Sequence, residues 1–171
     1  MDRSHFDTLL KRSPLLAGMD YSIRETLAAR FVQHPFKSGE PIIRAGDTGR
    51  YLGMLLEGNA IVQARRDDKA YTVEILEPGR IFGEIAFFDA QSPRTADVIG
   101  TMPGVAALLP YRAYDELVRM GDPAAEVLEK NVLDILSKRI QATNERLAEL
   151  LEATRQGTFL STLRRLFGVR S

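Results

Sequence analysis

The sequence predicts an α+β fold, mainly β, in which short antiparallel strands close into a sandwich or roll between N-terminal helices and one long C-terminal helix. Three observations carry that expectation. From Phe31 to Pro110, short strand-like runs alternate with turns that carry glycine. No helical stretch separates consecutive runs, as the crossovers of a parallel sheet require. On both sides of this region the apolar residues recur at helical spacing instead.

In chain order, Phe6, Leu9 and Leu10 place a first helix, Ser13-Pro14 interrupts it, and Asp20 to Arg30 resumes with Ile23, Leu27 and then Phe31. The strand runs are FVQHPF, PIIRAGDTG, YLGMLLEGNAIVQAR, KAYTVEILEPG and ADVIGTMPGVAALLP, punctuated by Gly39, Gly46, Gly49, Gly58, Gly79, Gly100 and Gly104. RRDDKA reads as a solvated hairpin tip. Tyr71, Val73 and Ile75 alternate along their strand, which places them on one face. After Pro110, YRAYDELVRM forms a helix that Gly121 ends. Asp122 then caps, and Pro123 opens, a helix running to about Arg155.

Leu133, Leu136, Ile140, Thr143, Leu147 and Leu150 follow a heptad along that helix. Two readings fit: a helix packed on its own roll, or a homodimer seam through residues 123–155. The first half can serve one and the second half the other. In the tail, QGTFLSTLRRLFGVRS, Gly157 is expected to break the helix, Thr158 to cap a new one and Gly168 to end it. Phe159, Leu160, Leu163, Leu166 and Phe167 would form an apolar stripe beside Arg164, Arg165 and Arg170. So short a helix needs a surface. Its own domain or dimer mate, a protein partner reached through residues 158–170, or an anionic membrane would each provide one, the membrane most weakly.

Composition excludes more than it assigns. A chain of 171 residues with 44% apolar and 27% charged side chains is of ordinary globular make-up. No apolar run approaches the roughly 18–20 residues that span a bilayer, and MDRSHFDTLLKRSP has no apolar leader core. There are no cysteines, which fits a reducing, cytoplasmic setting and removes thiolate and disulfide chemistry. The net charge of zero is unevenly placed. Residues 155–171 hold four arginines and no acid, leaving 19 basic and 23 acidic side chains before them. The body therefore has no electrostatic preference for nucleic acid. His5 and His34 stand in different elements without a carboxylate cluster at ligand spacing, so no metal is assigned. No nucleophile–base motif, phosphate-loop signature or zinc-protease helix occurs, and an enzyme is not expected.

The stretch GRIFGEIAFFDAQSPRTADV, residues 79–98, does carry chemistry. Gly83 permits a left-handed backbone or a close approach, and Glu84 to Phe88 can make one helical turn. Free amides at its start attract an anion. An arginine folded over them completes a two-pronged phosphate grip. A carboxylate alongside can accept from a sugar hydroxyl. From the residue types alone, a nucleotide site and a structural loop in which Glu84 and Arg94 pair with each other both stand.

Phe82-Gly83-Glu84-Ile85-Ala86 and Pro93-Arg94-Thr95-Ala96 resemble the phosphate-binding cassette of the cyclic-nucleotide-binding domain family, which reads close to F-G-E-x-A, a variable loop, then P-R-[STA]-A. Gly39-Glu40, Gly46-Asp47 and Leu56-Glu57-Gly58 sit where that family has its turn glycines, so the likeness covers residues 15–155. The resemblance implies an antiparallel β-roll, or jelly roll, as domain 1–155 including a lid helix, with 156–171 as a basic tail. It implies that Gly83 and Ala86 offer backbone amides to the cyclic phosphate, with Ile85 between them. Glu84 would take the ribose 2′-hydroxyl, Arg94 a phosphate oxygen, and Thr95 the phosphate or base. Val73 would pack on the purine, and Thr143 and Asn144 of the long helix would contact it.

The ligand implied is a cyclic mononucleotide, cAMP in preference to cGMP, and no cofactor. A hydroxyl at Thr95 can bond the guanine 2-amino group, but family members with threonine there take cAMP as well, and Glu84 argues against a cyclic dinucleotide. The 16 residues after Arg155 are too few for a DNA-reading helix-turn-helix, so a stand-alone sensor that does not bind DNA is expected, signalling to a protein partner. A dimeric scaffold that keeps the fold without a ligand is the alternative.

Overall fold

The computed structural model describes residues 2–67 and 69–167, with side chains through residue 155. The chain divides into two compact units, Met1–Asn131 and Val132–Ser171.

The first unit opens with α1 (Arg3–Lys11), whose first turn is capped by Asp2 Oδ1 accepting from His5 N at 2.9 Å. A 3-10 turn (Pro14–Leu16) and α2 (Tyr21–Ala28) follow. Eight strands come next: β1 (Val32–Phe36), β2 (Pro41–Ile43), β3 (Tyr51–Glu57), β4 (Ala60–Arg66), β5 (Lys69–Leu76), β6 (Ile81–Phe82), β7 (Ala96–Gly100) and β8 (Gly104–Pro110). The five-residue α3 (Glu84–Phe88) sits between β6 and β7, and α4 (Tyr111–Met120) follows β8. Gly121 closes α4 at φ +62°, and Asp122 Oδ1 accepts from Ala124 N at 2.9 Å to open α5 (Pro123–Phe167).

All strand pairs are antiparallel, in two four-stranded sheets ordered β1-β8-β3-β6 and β2-β7-β4-β5. Their facing sides enclose one core, with Phe36, Leu55, Phe82 and Ala106 from the first sheet and Ile43, Ala60, Leu76 and Val98 from the second. The opposite face of the first sheet is also dry. Leu52, Met54 and Leu109 are fully buried there, and α1 packs on β3 and α4 on β8. Gly53 allows the Phe82 ring to lie directly across β3, since a Cβ at that position would overlap the ring.

Two expectations need correction. The register of β5 against β4 slips by one between Val62 and Gln63, so Ile75 opposes Ile61, Glu74 opposes Val62, and Tyr71 opposes Ala64. Opposed residues share a face, and Val62 packs on the core. Glu74 and Tyr71 therefore face inward and Ile75 faces outward, while Val73 is the unpaired residue of a bulge. The slip breaks the alternation that put Tyr71, Val73 and Ile75 on one face.

The second correction concerns Gly157. α5 runs through it to Phe167, without a break at Gly157 or a new start at Thr158. A single glycine costs a helix only about 1 kcal/mol, which flanking helix formers offset. The tail's apolar stripe and the stop at Gly168 lie outside the described side chains and residues. Within the second unit, Leu133, Ile140, Leu147, Leu150 and Leu151 are exposed.

Candidate functional site

The site residues gather where β6 ends. Ile81 and Phe82 pair with Met54 and Gly53 of β3, and the chain then turns at once. Gly83 makes the turn at φ +77°. A Cβ there would strike Arg94 Nη1 and approach Tyr51 O to 3.0 Å, so both conformation and space demand glycine. α3 starts from this point, with Phe87 N donating to Gly83 O at 3.2 Å and Asp89 N to Ile85 O at 2.9 Å. Ala86 and Phe87 are buried, and Ile85 and Phe88 are exposed.

Arg94 is folded beneath that turn and is only 5% exposed. Its Nη1 donates to Gly83 O at 2.8 Å, its Nη2 to Tyr51 O at 2.9 Å and Gly49 O at 3.0 Å, and its Nε to Gly49 O at 3.1 Å. The guanidinium carbon lies 5.4 Å from the Tyr51 ring centre. Burial pulls its pKa down, while Tyr51, Glu84 and Asp47 pull it up. An arginine stays protonated under such opposed effects. The loop that holds it is stitched on the far side too: Gly46 N donates to Arg94 O at 2.9 Å, and Ala45 N to Asp97 Oδ1 at 2.7 Å.

Gly83, Glu84, Ile85, Ala86, Arg94 and Thr95 thus form one assembly. Glu84 is half-buried at the first position of α3 and Thr95 is exposed beside β7. From there the register runs Ala96 to Ala64 to Tyr71 across β7, β4 and β5. Exposure rises along the inner face of β5 from the fully buried Leu76 to the half-exposed Tyr71, so the roll opens at the end where the cassette lies. Val73 is 61% exposed on its bulge. Thr143 and Asn144 belong to the second unit, both exposed, and Thr143 Oγ1 donates to Arg139 O at 2.8 Å.

Arg50 is a contributor that the sequence did not flag. Its Nε donates to Ala86 O at 3.2 Å and its Nη2 to Phe87 O at 2.6 Å, so it closes the C-terminal end of α3. Its partners lie 36 and 37 residues away, and an arginine before an apolar strand carries no local signal of such a role. Phe87, Phe88, Tyr111 and Tyr114 pack edge to face or tilted, with ring centres 5.0–5.8 Å apart, and join α3 to α4. Tyr114 donates its hydroxyl to Glu129 on α5. Among the described residues no cluster of three potential metal ligands occurs, and the exposed His5 pairs with Glu57 at 3.0 Å.

The family model described as "Cyclic nucleotide-binding domain" matches residues 33–121. The type II regulatory subunit of cAMP-dependent protein kinase from Drosophila melanogaster is 29% identical over 140 residues, 81% of this chain but only 36% of its own length. Among solved structures, a cyclic nucleotide-binding domain from Methylobacillus flagellatus gives a TM-score of 0.72 at 19% identity, covering 84% of this chain and 80% of its own. The regulatory domain of PKA from Toxoplasma gondii, crystallised with cAMP, gives 0.64 at 27% identity, with 82% and 50% covered. The bacterial likeness speaks for the fold alone.

Proposed function

The chain belongs to the cyclic nucleotide-binding domain family, and on that premise we propose that it senses a cyclic purine mononucleotide, cAMP in preference to cGMP, and passes the signal to a protein partner through its long helix. The observation that carries this reading is the guanidinium of Arg94, nearly sealed from water directly beneath the left-handed Gly83.

In this reading the amides of Gly83 and Ala86 receive the cyclic phosphate, Ile85 spaces them, and Arg94 supplies the charge that faces it. Glu84 accepts from the ribose 2′-hydroxyl, and Thr95 reaches the phosphate or the base. On the purine side Val73 keeps its place as a candidate because its bulge leaves the side chain exposed. Tyr71 joins it from the inner face of the same strand, with an aromatic ring on which a base can stack. The support for cAMP is the pair of kinase regulatory relatives, one crystallised with that nucleotide.

Thr143 and Asn144 of the long helix are the further candidates for contact with the base. The exposed Leu133, Ile140 and Leu147 supply the seam of a homodimer. Signalling then consists of a nucleotide-dependent change in what this helix presents.

Isothermal titration with cAMP and cGMP, on the parent and on Arg94→Lys, tests the proposal. Lysine keeps the charge and loses the fork, and a charge-assisted contact contributes about 1.5–3 kcal/mol. The variant should bind at least about tenfold more weakly. A parent that takes up neither nucleotide at millimolar concentration removes the sensor reading and leaves the dimeric scaffold.

A further inference from the structure

α3 is too short to hold its own orientation. Five residues supply hardly more than one turn, and so small a helix has no independent stability in water. Its attitude relative to the cradle must come from groups outside it, and two guanidiniums add to what the buried Ala86 and Phe87 supply. Arg94 holds the front, through Gly83 O. Arg50 holds the back, through Ala86 O and Phe87 O.

The two differ in what else they touch. Arg94 lies under the cradle, where an incoming phosphate would draw on its remaining donor capacity. Arg50 faces away from it, toward α4. Its guanidinium carbon lies 3.4 Å from the centre of the Tyr111 ring, and its own carbonyl accepts from Tyr111 N at 2.9 Å. Arg50 therefore fastens both the end of the cassette helix and the start of α4 to the first residue ahead of β3. The Tyr111 ring packs against Phe87 and Tyr114, and Tyr114 reaches Glu129 on α5. These contacts join α3 to the helices that follow the roll.

We propose that Arg50 is a positioning residue for the nucleotide: by bracing α3 on Tyr111 it fixes the angle at which the cassette amides meet the phosphate. The proposal rests on the reading of this cassette as a nucleotide site. It assigns Arg50 no contact with the ligand.

The test uses the two phosphorothioate diastereomers of cAMP, in which sulfur replaces one or the other exocyclic phosphate oxygen. The ratio of their affinities reports how sharply the cradle distinguishes the two oxygens. A loss of folded protein lowers both affinities alike and leaves the ratio unchanged, so a purely structural role cannot move it. Arg50→Ala is expected to compress the parent's ratio by about threefold or more and to weaken cAMP by about tenfold. Arg50→Lys should fall between, because an ammonium keeps the charge but lacks the rigid planar fork that lies over the Tyr111 ring and meets both carbonyls at once.

An unchanged ratio in both variants, with only the melting temperature lowered, overturns the proposal while leaving the nucleotide reading intact. A parent that binds cAMP without preferring either diastereomer overturns it too. A parent that binds none of the three overturns the nucleotide reading and the proposal together. Should Arg50→Ala fail to fold, Arg50→Lys decides.

Discussion

The two sheets of the roll are built from similar strands and are used differently. In the first sheet, β3 buries five consecutive residues, Leu52 to Leu56, because the roll's core covers one face and the helices cover the other. In the second sheet, β5 is largely exposed from Lys69 to Ile75 and is buried only at Leu76. One sheet is a wall closed on both sides, and the other is closed at one end and open at the other. The cassette connects the two, starting from β6 of the first and ending at β7 of the second. The comparison teaches that burial is divided unequally between the sheets: the closed one holds the fold, and the open one leaves the room that the proposed ligand requires.

Truncation should expose that division most strongly. Leu55→Ala, in the closed wall, is expected to cost about 2–5 kcal/mol of stability in a denaturant titration. Ile75→Ala, on the outward face of the open sheet, should stay within about 0.5 kcal/mol. Equal costs at the two sites would break the contrast.

On the proposed reading Arg94 serves both functions, so its removal should register twice. Arg94→Ala takes the guanidinium donors away from the carbonyl oxygens of residues 49, 51 and 83, which should lower the melting temperature, and cAMP affinity should fall by about tenfold or more in calorimetry. A variant that binds normally in a destabilised fold would assign Arg94 wholly to the scaffold.

A smaller effect sharpens the register of the open sheet. Tyr71→Ala should weaken cAMP by about three- to tenfold, as losing one aromatic contact of about 1 kcal/mol does. Ile75→Ala, four residues along but across the bulge, should leave affinity unchanged. The reverse outcome in paired titrations would place the slip elsewhere.

The smallest concerns the helical cover of the closed sheet. Burial, and then the hydrogen bond to Glu129, raise the Tyr114 phenol above its ordinary value. The folded state holds that proton more tightly than the unfolded chain, so this contribution is complete below about pH 10 and is lost as pH rises beyond it. Melting temperatures should therefore fall more steeply above about pH 10 in the parent than in Tyr114→Phe. Parallel curves would remove Tyr114 from the account.

Most of this was legible in the sequence, because the signals are local. The turn glycines, the Gly121 stop, the Asp122-Pro123 start and the left-handed Gly83 before a helical turn all act within a few residues of themselves. The bulge at Val73 escaped, since no glycine or proline marks it and it exists only as a mismatch between β4 and β5. The continuation through Gly157 escaped because a preference of about 1 kcal/mol is easily outvoted by its neighbours. Arg50 escaped because its partners are distant in sequence, and their recognition sites are backbone oxygens that no residue type advertises.

Gly53 extends the reach of the cassette to a place no ligand would approach. With no side chain, it gives the Phe82 ring a flat bed on β3, and Phe82 is the residue on which the turn at Gly83 begins. A methyl group at 53 would have to lift that ring, and with it the two-residue strand that carries it. Substitution behind the cradle would therefore present as damage to its front, so a lesion mapped by binding assays alone would be blamed on the wrong wall of the molecule.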